Sequence, residues 1–247
     1  MQEAQWRMKE LLKTHIDCFD DALGGGIPKG SVVLVMGEPG TMKTSLTYSV
    51  MYKCAAEDNL DGLYITLEQK KDSLEAQMDA MGFSYEEVIG RLAVMDMASY
   101  RKRTQMSSGG YWLDYLKKCV ATRKEVGNVD ILAIDSLDSL EALSDFTDRR
   151  IVIYSLFEWL RDCDFTTFMI CEEGPDFVFE GYEMVPQKNE AEYLADAIFS
   201  LKMHPISDFD VQRRLRCVKM RGQGHDTSYF ALIFEPGEFK VAKAISA

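Results

Sequence analysis

Paired cysteines, clustered histidines and long apolar runs are missing from this 247-residue chain, and each absence removes a class of protein. The six cysteines, Cys18, Cys54, Cys119, Cys163, Cys171 and Cys217, contain no C-x-x-C or C-x2-4-C pair. Four of them lie inside apolar or helical runs, so buried free thiols are expected, not a disulfide scaffold. The three histidines have no ligand neighbour at helical spacing, which argues against a zinc site. No window approaches the roughly 18 apolar residues of a membrane span. The charged start MQEAQWRMKELLKTH has no uninterrupted apolar core, so no signal peptide is expected. Cations are also scarce, with 28 Lys+Arg against 40 Asp+Glu and a net charge of −12. Such a chain lacks the global positive field that draws proteins onto nucleic acid or anionic lipid. What remains is an ordinary globular composition, 47% apolar and 28% charged, in a length suited to one α/β domain. Reduced thiols in a chain with no membrane span point to the cytoplasm.

Along the chain, residues 3–14 read as a short amphipathic helix, a helical extension over residues 1–14 of a single domain. A glycine- and proline-rich turn follows from Ala22 to Gly30. Ser31–Met36 is a continuous apolar run rich in β-branched residues, the pattern of a strand buried on both faces. Further buried strands are expected at Gly62–Leu67, Leu92–Met95, Asp130–Asp135 and Thr166–Cys171. Helices alternate with them at Lys43–Glu57, 71–82, 111–126 and 147–162. That alternation implies βαβ units and a mostly parallel sheet. The last fifty residues change character: Ala197–Met203, Arg213–Met220, Tyr229–Phe234 and Phe239–Val241 form short strands with no helix between them. They predict a C-terminal antiparallel β-meander at the end of the parallel sheet.

The sharpest motif is Gly37-Glu38-Pro39-Gly40-Thr41-Met42-Lys43-Thr44, between a buried strand and a helix. It matches the phosphate-loop pattern G-x-x-x-x-G-K-[ST] at Gly37, Lys43 and Thr44. In that pattern backbone N–H groups and a helix N-terminus wrap a phosphate, the lysine bridges β- and γ-oxygens, and the hydroxyl holds Mg²⁺. Met42 stands where a second glycine is expected. A left-handed backbone there would cost about 1–2 kcal/mol, whereas a right-handed one would cost little; the sequence leaves both open.

Two carboxylates end strands that should lie beside this loop. Asp135 closes the run DILAID and is placed to hold the Mg²⁺ shell together with Thr44. Glu68 follows GLYITL and is placed to orient or deprotonate an attacking water. Either residue alone could simply cap a strand end; the adjacent phosphate loop is what gives them a catalytic reading, with Lys43 as the third catalytic candidate.

Together with the tail, these residues resemble the KaiC family of RecA-like ATPases. Phe19–Gly30 (FDDALGGGIPKG) is similar to its entry segment, Leu63–Glu68 to its catalytic-glutamate strand, and Ile134-Asp135-Ser136 to its second Walker strand. Thr166–Glu173 and Ala195-Asp196 resemble the strands that follow. Lys219-Met220-Arg221-Gly222 with His225-Asp226 resembles its K-x-R-G-x-x-H segment, so the likeness runs colinearly over about residues 15–242. The resemblance implies a RecA-like αβα P-loop fold and a ring hexamer with ATP and Mg²⁺ between subunits. It implies that Gly40, Thr41, Lys43, Thr44 and Ser45 bind the phosphates in cis. Lys219 and Arg221 would reach the neighbour's γ-phosphate, with Gln223 and His225 near the nucleotide. Strand alternation puts Lys219 and Arg221 on one face, as two cations acting together on a phosphoryl group require. Gln69 replaces the second of two adjacent glutamates, and the Ser-Thr pair of the autophosphorylating clock proteins is absent at Glu192-Tyr193. A KaiC-like regulator with slow hydrolysis is expected, with a non-hydrolysing ATP switch as the alternative.

Related recombinases act on DNA through loops facing the ring centre. Here the corresponding segments are acidic: Glu172–Glu192 carries one lysine, Lys188, among seven carboxylates. Such loops forfeit the counterion release that drives DNA binding, so a recombination role is disfavoured and the basic run Arg101–Arg103 reads as a solvated loop. A protein partner would have the loops at 99–110 and 173–190 to grip.

Overall fold

The computed structural model describes residues 10–97, 99, 111–144, 148–173, 177–180, 183–186 and 190–244. The basic run Arg101–Arg103 and much of the two candidate partner loops lie outside these residues.

Alternating burial builds the central layer. In β3 (Val32–Gly37), Val33 and Val35 enter one apolar cluster while Val32, Leu34 and Met36 enter another, so helices must cover both faces. α2 (Lys43–Glu57) follows β3 and covers the first face. After β4 (Gly62–Thr66) come α3 (Lys71–Ala80) and α4 (Tyr85–Val88), and then β5 (Leu92–Asp96). α5 (Tyr111–Val126), β6 (Ile131–Asp135), α6 (Leu137–Leu143) and α7 (Arg149–Asp162) precede β7 (Thr166–Glu172). Trp112, Leu116 and Val120 of α5 and Ile153, Leu156, Phe157 and Leu160 of α7 fill the second cluster. A hairpin, β8 (Phe177–Glu180) with β9 (Glu183–Pro186), and the short α8 (Glu190–Leu194) lead into β10 (Ala197–Pro205). The chain finishes on β11 (Val211–Met220), β12 (Phe230–Glu235) and β13 (Glu238–Lys243).

Among the described residues these strands make one nine-stranded sheet in the order β13-β12-β11-β10-β3-β7-β6-β4-β5. β10, β3, β7, β6, β4 and β5 run parallel, and the meander β10–β13 is antiparallel. The expected αβα layers and C-terminal meander are both present. The meander joins beside β3 itself, so the phosphate-loop strand lies between β10 and β7 and not at a sheet edge.

The expected helix over residues 3–14 needs correction where it is described. Leu11–Leu12 (β1) pairs antiparallel with Ile27–Pro28 (β2), and residues 1–9 lie outside the described residues. Leu12, Thr14 and Ile16 are buried while Leu11 and Lys13 are exposed, a two-residue period that a helix cannot present. After Ile16, α1 (Phe19–Ala22) seats Phe19 against Phe199 and Phe230 of the meander, with ring centroids 5.2 and 6.1 Å away.

Candidate nucleotide site

The ends of β3, β4, β6 and β7 meet the start of α2 around a cleft of about 430 Å³. Gly37 closes β3 where a side chain could not fit, since a Cβ there would lie 2.3 Å from the Leu201 carbonyl of β10. Gly40 turns the loop at φ 81°, a left-handed conformation. Met42, the N-cap of α2, is left-handed as well, with φ 74° and ψ 28°. The glycine expected there is thus missing from a position that favours one, and the side chain is retained by packing against the core.

Lys43 begins α2 and folds over the loop. Its Nζ donates to the carbonyls of Gly37 at 2.6 Å and Glu38 at 3.0 Å. Thr41 points inward, its hydroxyl donating to the Glu38 carbonyl at 2.7 Å, and so braces the loop. Ser45 is buried at the first turn of α2, and Thr44 Oγ1 donates to Asp135 Oδ2 at 2.9 Å. Tyr64 of β4 donates to the same oxygen at 2.7 Å. Asp135 is 4% exposed. Burial pushes its carboxyl above the ordinary range, and the Tyr64 and Thr44 hydroxyls partly oppose that shift. A hydroxyl and a carboxylate are hard oxygen donors of the kind Mg²⁺ accepts, so the pair fits such an ion.

Glu68 lies one residue beyond Leu67, whose N–H donates to the Asp135 carbonyl at 2.7 Å. Its Oε1 accepts from Ser136 Oγ at 2.5 Å and Ser139 Oγ at 3.0 Å. The Asp135–Ser136 peptide is cis. Glu68 therefore stands at the cleft mouth with its orientation set by two hydroxyls. Gln69 lines the same cleft. Two contributors escaped the sequence reading. Tyr64 looks like any strand aromatic until its hydroxyl is seen on Asp135. Arg213 of β11 reaches the loop from the meander, donating to the Gly40 carbonyl at 3.3 Å, and no local motif signals that approach.

The fold does not bring Lys219, Arg221, Gln223 or His225 to this cleft. Register explains why: Arg213 pairs with Met203 at the loop end of β10, whereas Lys219 pairs with Ile198 at its start. Lys219 Nζ donates to the carbonyls of Glu192 at 2.9 Å and Tyr193 at 3.1 Å. Arg221 donates to the Tyr193 carbonyl at 2.7 Å and to Asp196 Oδ1 at 3.3 Å. The two cations thus cap the C-terminal carbonyls of α8, a favourable place for positive charge. Burial, and then the neighbouring Arg221, lower the Lys219 pKa. Gln223 ties the tail to the entry turn through the carbonyls of Leu23 and Gly26. His225 lines a second hollow, of about 770 Å³, with Cys18, Asp21 and Lys243.

Comparison with known proteins agrees with this geometry. The family model described as "ATPase: KaiC" matches residues 12–244. The chain is 28% identical over 230 residues to the UPF0273 protein of Aeropyrum pernix, covering 88% of each. It is 25% identical over 217 residues to the circadian clock oscillator protein KaiC of Synechococcus elongatus, covering 87% of this chain and 40% of that one. The circadian clock protein KaiC2 of Synechocystis is 23% identical over 236 residues, of which the match covers 39% of its length. The chain thus spans about two fifths of these clock proteins. The crystal structure of a KaiC-like protein from Pyrococcus horikoshii superposes with a TM-score of 0.75 at 24% identity, covering 95% of this chain and 99% of that one, and shows the fold. The family match extends from β1 to the end of the meander, and on that evidence the chain belongs to the KaiC ATPase family.

Proposed function

We propose that this protein binds ATP with Mg²⁺ and hydrolyses it slowly at the subunit interfaces of a homo-hexameric ring, in a regulatory or signalling role exercised through a protein partner. The observation that carries the reading is the convergence of Lys43, Thr44, Asp135 and Glu68 on one cleft while Lys219 and Arg221 stand at the other end of the sheet. A site with its cis half at one end and its cations at the other is completed by a second copy related head to tail.

Each residue has a task that its surroundings permit. The N–H groups at the start of α2, with Gly40 and Thr41, cradle the phosphates, and Lys43 turns from the loop carbonyls to phosphate oxygens. Mg²⁺ held by Thr44 and Asp135 would supply charge neutralisation to the phosphates. Tyr64 fixes the Asp135 carboxylate. Glu68, held by Ser136 and Ser139, orients and accepts a proton from the attacking water. Lys219 and Arg221 leave the α8 carbonyls to meet a neighbour's γ-phosphate, with Gln223 and His225 on the same side.

The test is phosphate release under multiple turnover with Glu68→Gln as control. Loss of about 10²-fold or more is expected, with ATP binding retained. Flat traces for both proteins, with ATP still bound, would establish the non-hydrolysing switch instead. That second reading draws on the left-handed Met42 in the loop and on Gln69 in the cleft. A DNA-directed role has less support. Arg149, in the stretch Ser136–Arg150 that would also face a ring's centre, is paired with Glu141 at 2.7 Å and Glu190 at 2.9 Å.

A further inference from the structure

Three potential metal ligands meet far from the phosphate loop, at the other end of α2. One ligand atom each from His15, Cys54 and Asp58 lies within 4.8 Å of the others, and His15 Nε2 is 2.7 Å from Asp58 Oδ2. Cys54 and Asp58 are four residues apart, one turn along the end of α2, with Asp58 as its C-cap. His15 comes from the segment after β1, 39 positions earlier than Cys54 in the chain, so no spacing in the sequence betrays the cluster.

We propose that His15, Cys54 and Asp58 bind Zn²⁺, with solvent water as the fourth ligand. Sulfur, imidazole nitrogen and carboxylate are the ligand set this ion takes in tetrahedral sites, and the thiol disfavours Mg²⁺ and Ca²⁺. The histidine is already oriented. Its Nδ1 lies 3.2 Å from Glu57 Oε2, so Nδ1–H donates to that carboxylate and leaves Nε2 for the metal. Its backbone is equally fixed: Asp20 accepts from the Thr14 and His15 N–H groups at 2.8 and 3.1 Å. His15 also sits at φ 55°, held there by this network.

A proton shared between Nε2 and Asp58 Oδ2, 2.7 Å apart, competes for the same place. A tetrahedral ion with bonds of about 2.1 Å needs about 3.4 Å between ligand atoms. Asp58 is 37% exposed and can swing by that difference. Cys54 Sγ now donates to the Lys13 carbonyl at 3.3 Å; on binding, the thiol proton and the proton between Nε2 and Asp58 both pass to solvent, and the thiolate, the imidazole Nε2 and the carboxylate bond to zinc. The ion would join the entry segment to the tail of the phosphate-loop helix. The inference does not depend on ATP hydrolysis.

The experiment uses the full chain, freed of metal by chelator, with Mg²⁺ in excess and no nucleotide. Zn²⁺ is titrated in competition with a chromophoric chelator. One equivalent bound at about micromolar affinity or tighter is expected, together with a higher Tm on zinc addition. His15→Gly, which suits the left-handed backbone, and Asp58→Asn should each weaken binding at least tenfold. Co²⁺ should give a thiolate charge-transfer band that Cys54→Ser removes. Zinc affinity unchanged in His15→Gly, or no binding below about 100 µM in the parent chain, overturns the proposal.

Discussion

At the residue scale, Met42 and Asp135 show opposite ways of holding an unfavourable state. Met42 occupies a left-handed backbone that costs about 1–2 kcal/mol and offsets part of this by packing on the core. Met42→Val, with a branched Cβ in the same conformation, should therefore lower stability by about 1 kcal/mol or more relative to Met42→Gly, read from urea unfolding. Asp135 is a buried carboxylate whose pKa is raised by desolvation. The folded chain holds that proton more tightly than the unfolded chain, so this group's contribution falls as pH rises from the ordinary aspartate value to the raised one. Above that window the ionised form is a constant cost. Asp135→Asn should remove the cost and raise Tm at neutral pH while weakening Mg²⁺-dependent ATP binding. An unchanged or lowered Tm across neutral pH would contradict the assignment. The sequence exposed Asp135 because it ends an apolar run beside a phosphate loop. It did not expose the Tyr64 hydroxyl on it, because a strand tyrosine reads only as packing until the neighbouring strand is placed.

At the element scale, the buried strands were legible because they pack on both faces and so appear as unbroken apolar runs, as in Val32–Met36 and Ile131–Ile134. Residues 3–14 read as helical because charged residues among apolar ones imitate an amphipathic period, whereas the burial of Leu12, Thr14 and Ile16 alternates. The hairpin at β8–β9 and the one-turn α8 were too short to show a period at all. Asp196, just before β10, binds three elements together. Its Oδ2 accepts from the Val32 N–H of β3 at 3.0 Å and lies 3.4 Å from Arg161 Nε of α7, while Arg221 of the tail reaches Oδ1. Asp196→Ala leaves the Val32 N–H and part of both guanidinium groups without acceptors. A loss of about 1–3 kcal/mol is expected in chemical denaturation, and a neutral result would show that water replaces the carboxylate fully.

At the scale of the whole molecule, the expected family and αβα architecture could be read from colinear motifs, and the resemblance implied that Lys219 and Arg221 act away from their own phosphate loop, but the strand path that separates them from it could not be read. That separation depends on β10 running parallel to β3 and on β11 returning antiparallel, which only the sheet register reveals. If the proposed ring exists, mixing two inactive proteins should restore activity. Glu68→Gln spoils the cis half and Arg221→Ala the trans half, so random co-assembly gives about one quarter of the sites both intact halves. Phosphate release near that fraction of the parent rate is expected in the mixture, and none in either variant alone; a silent mixture would reject shared sites. The Asp196 carboxylate gives such a ring a further property. It fastens the guanidinium of Arg221 to the first residue of the strand whose last residue is Gly37. Occupancy of one subunit's triphosphate would then pull, through a single stiff strand, on the phosphate loop of the next, so that neighbouring sites keep time with one another.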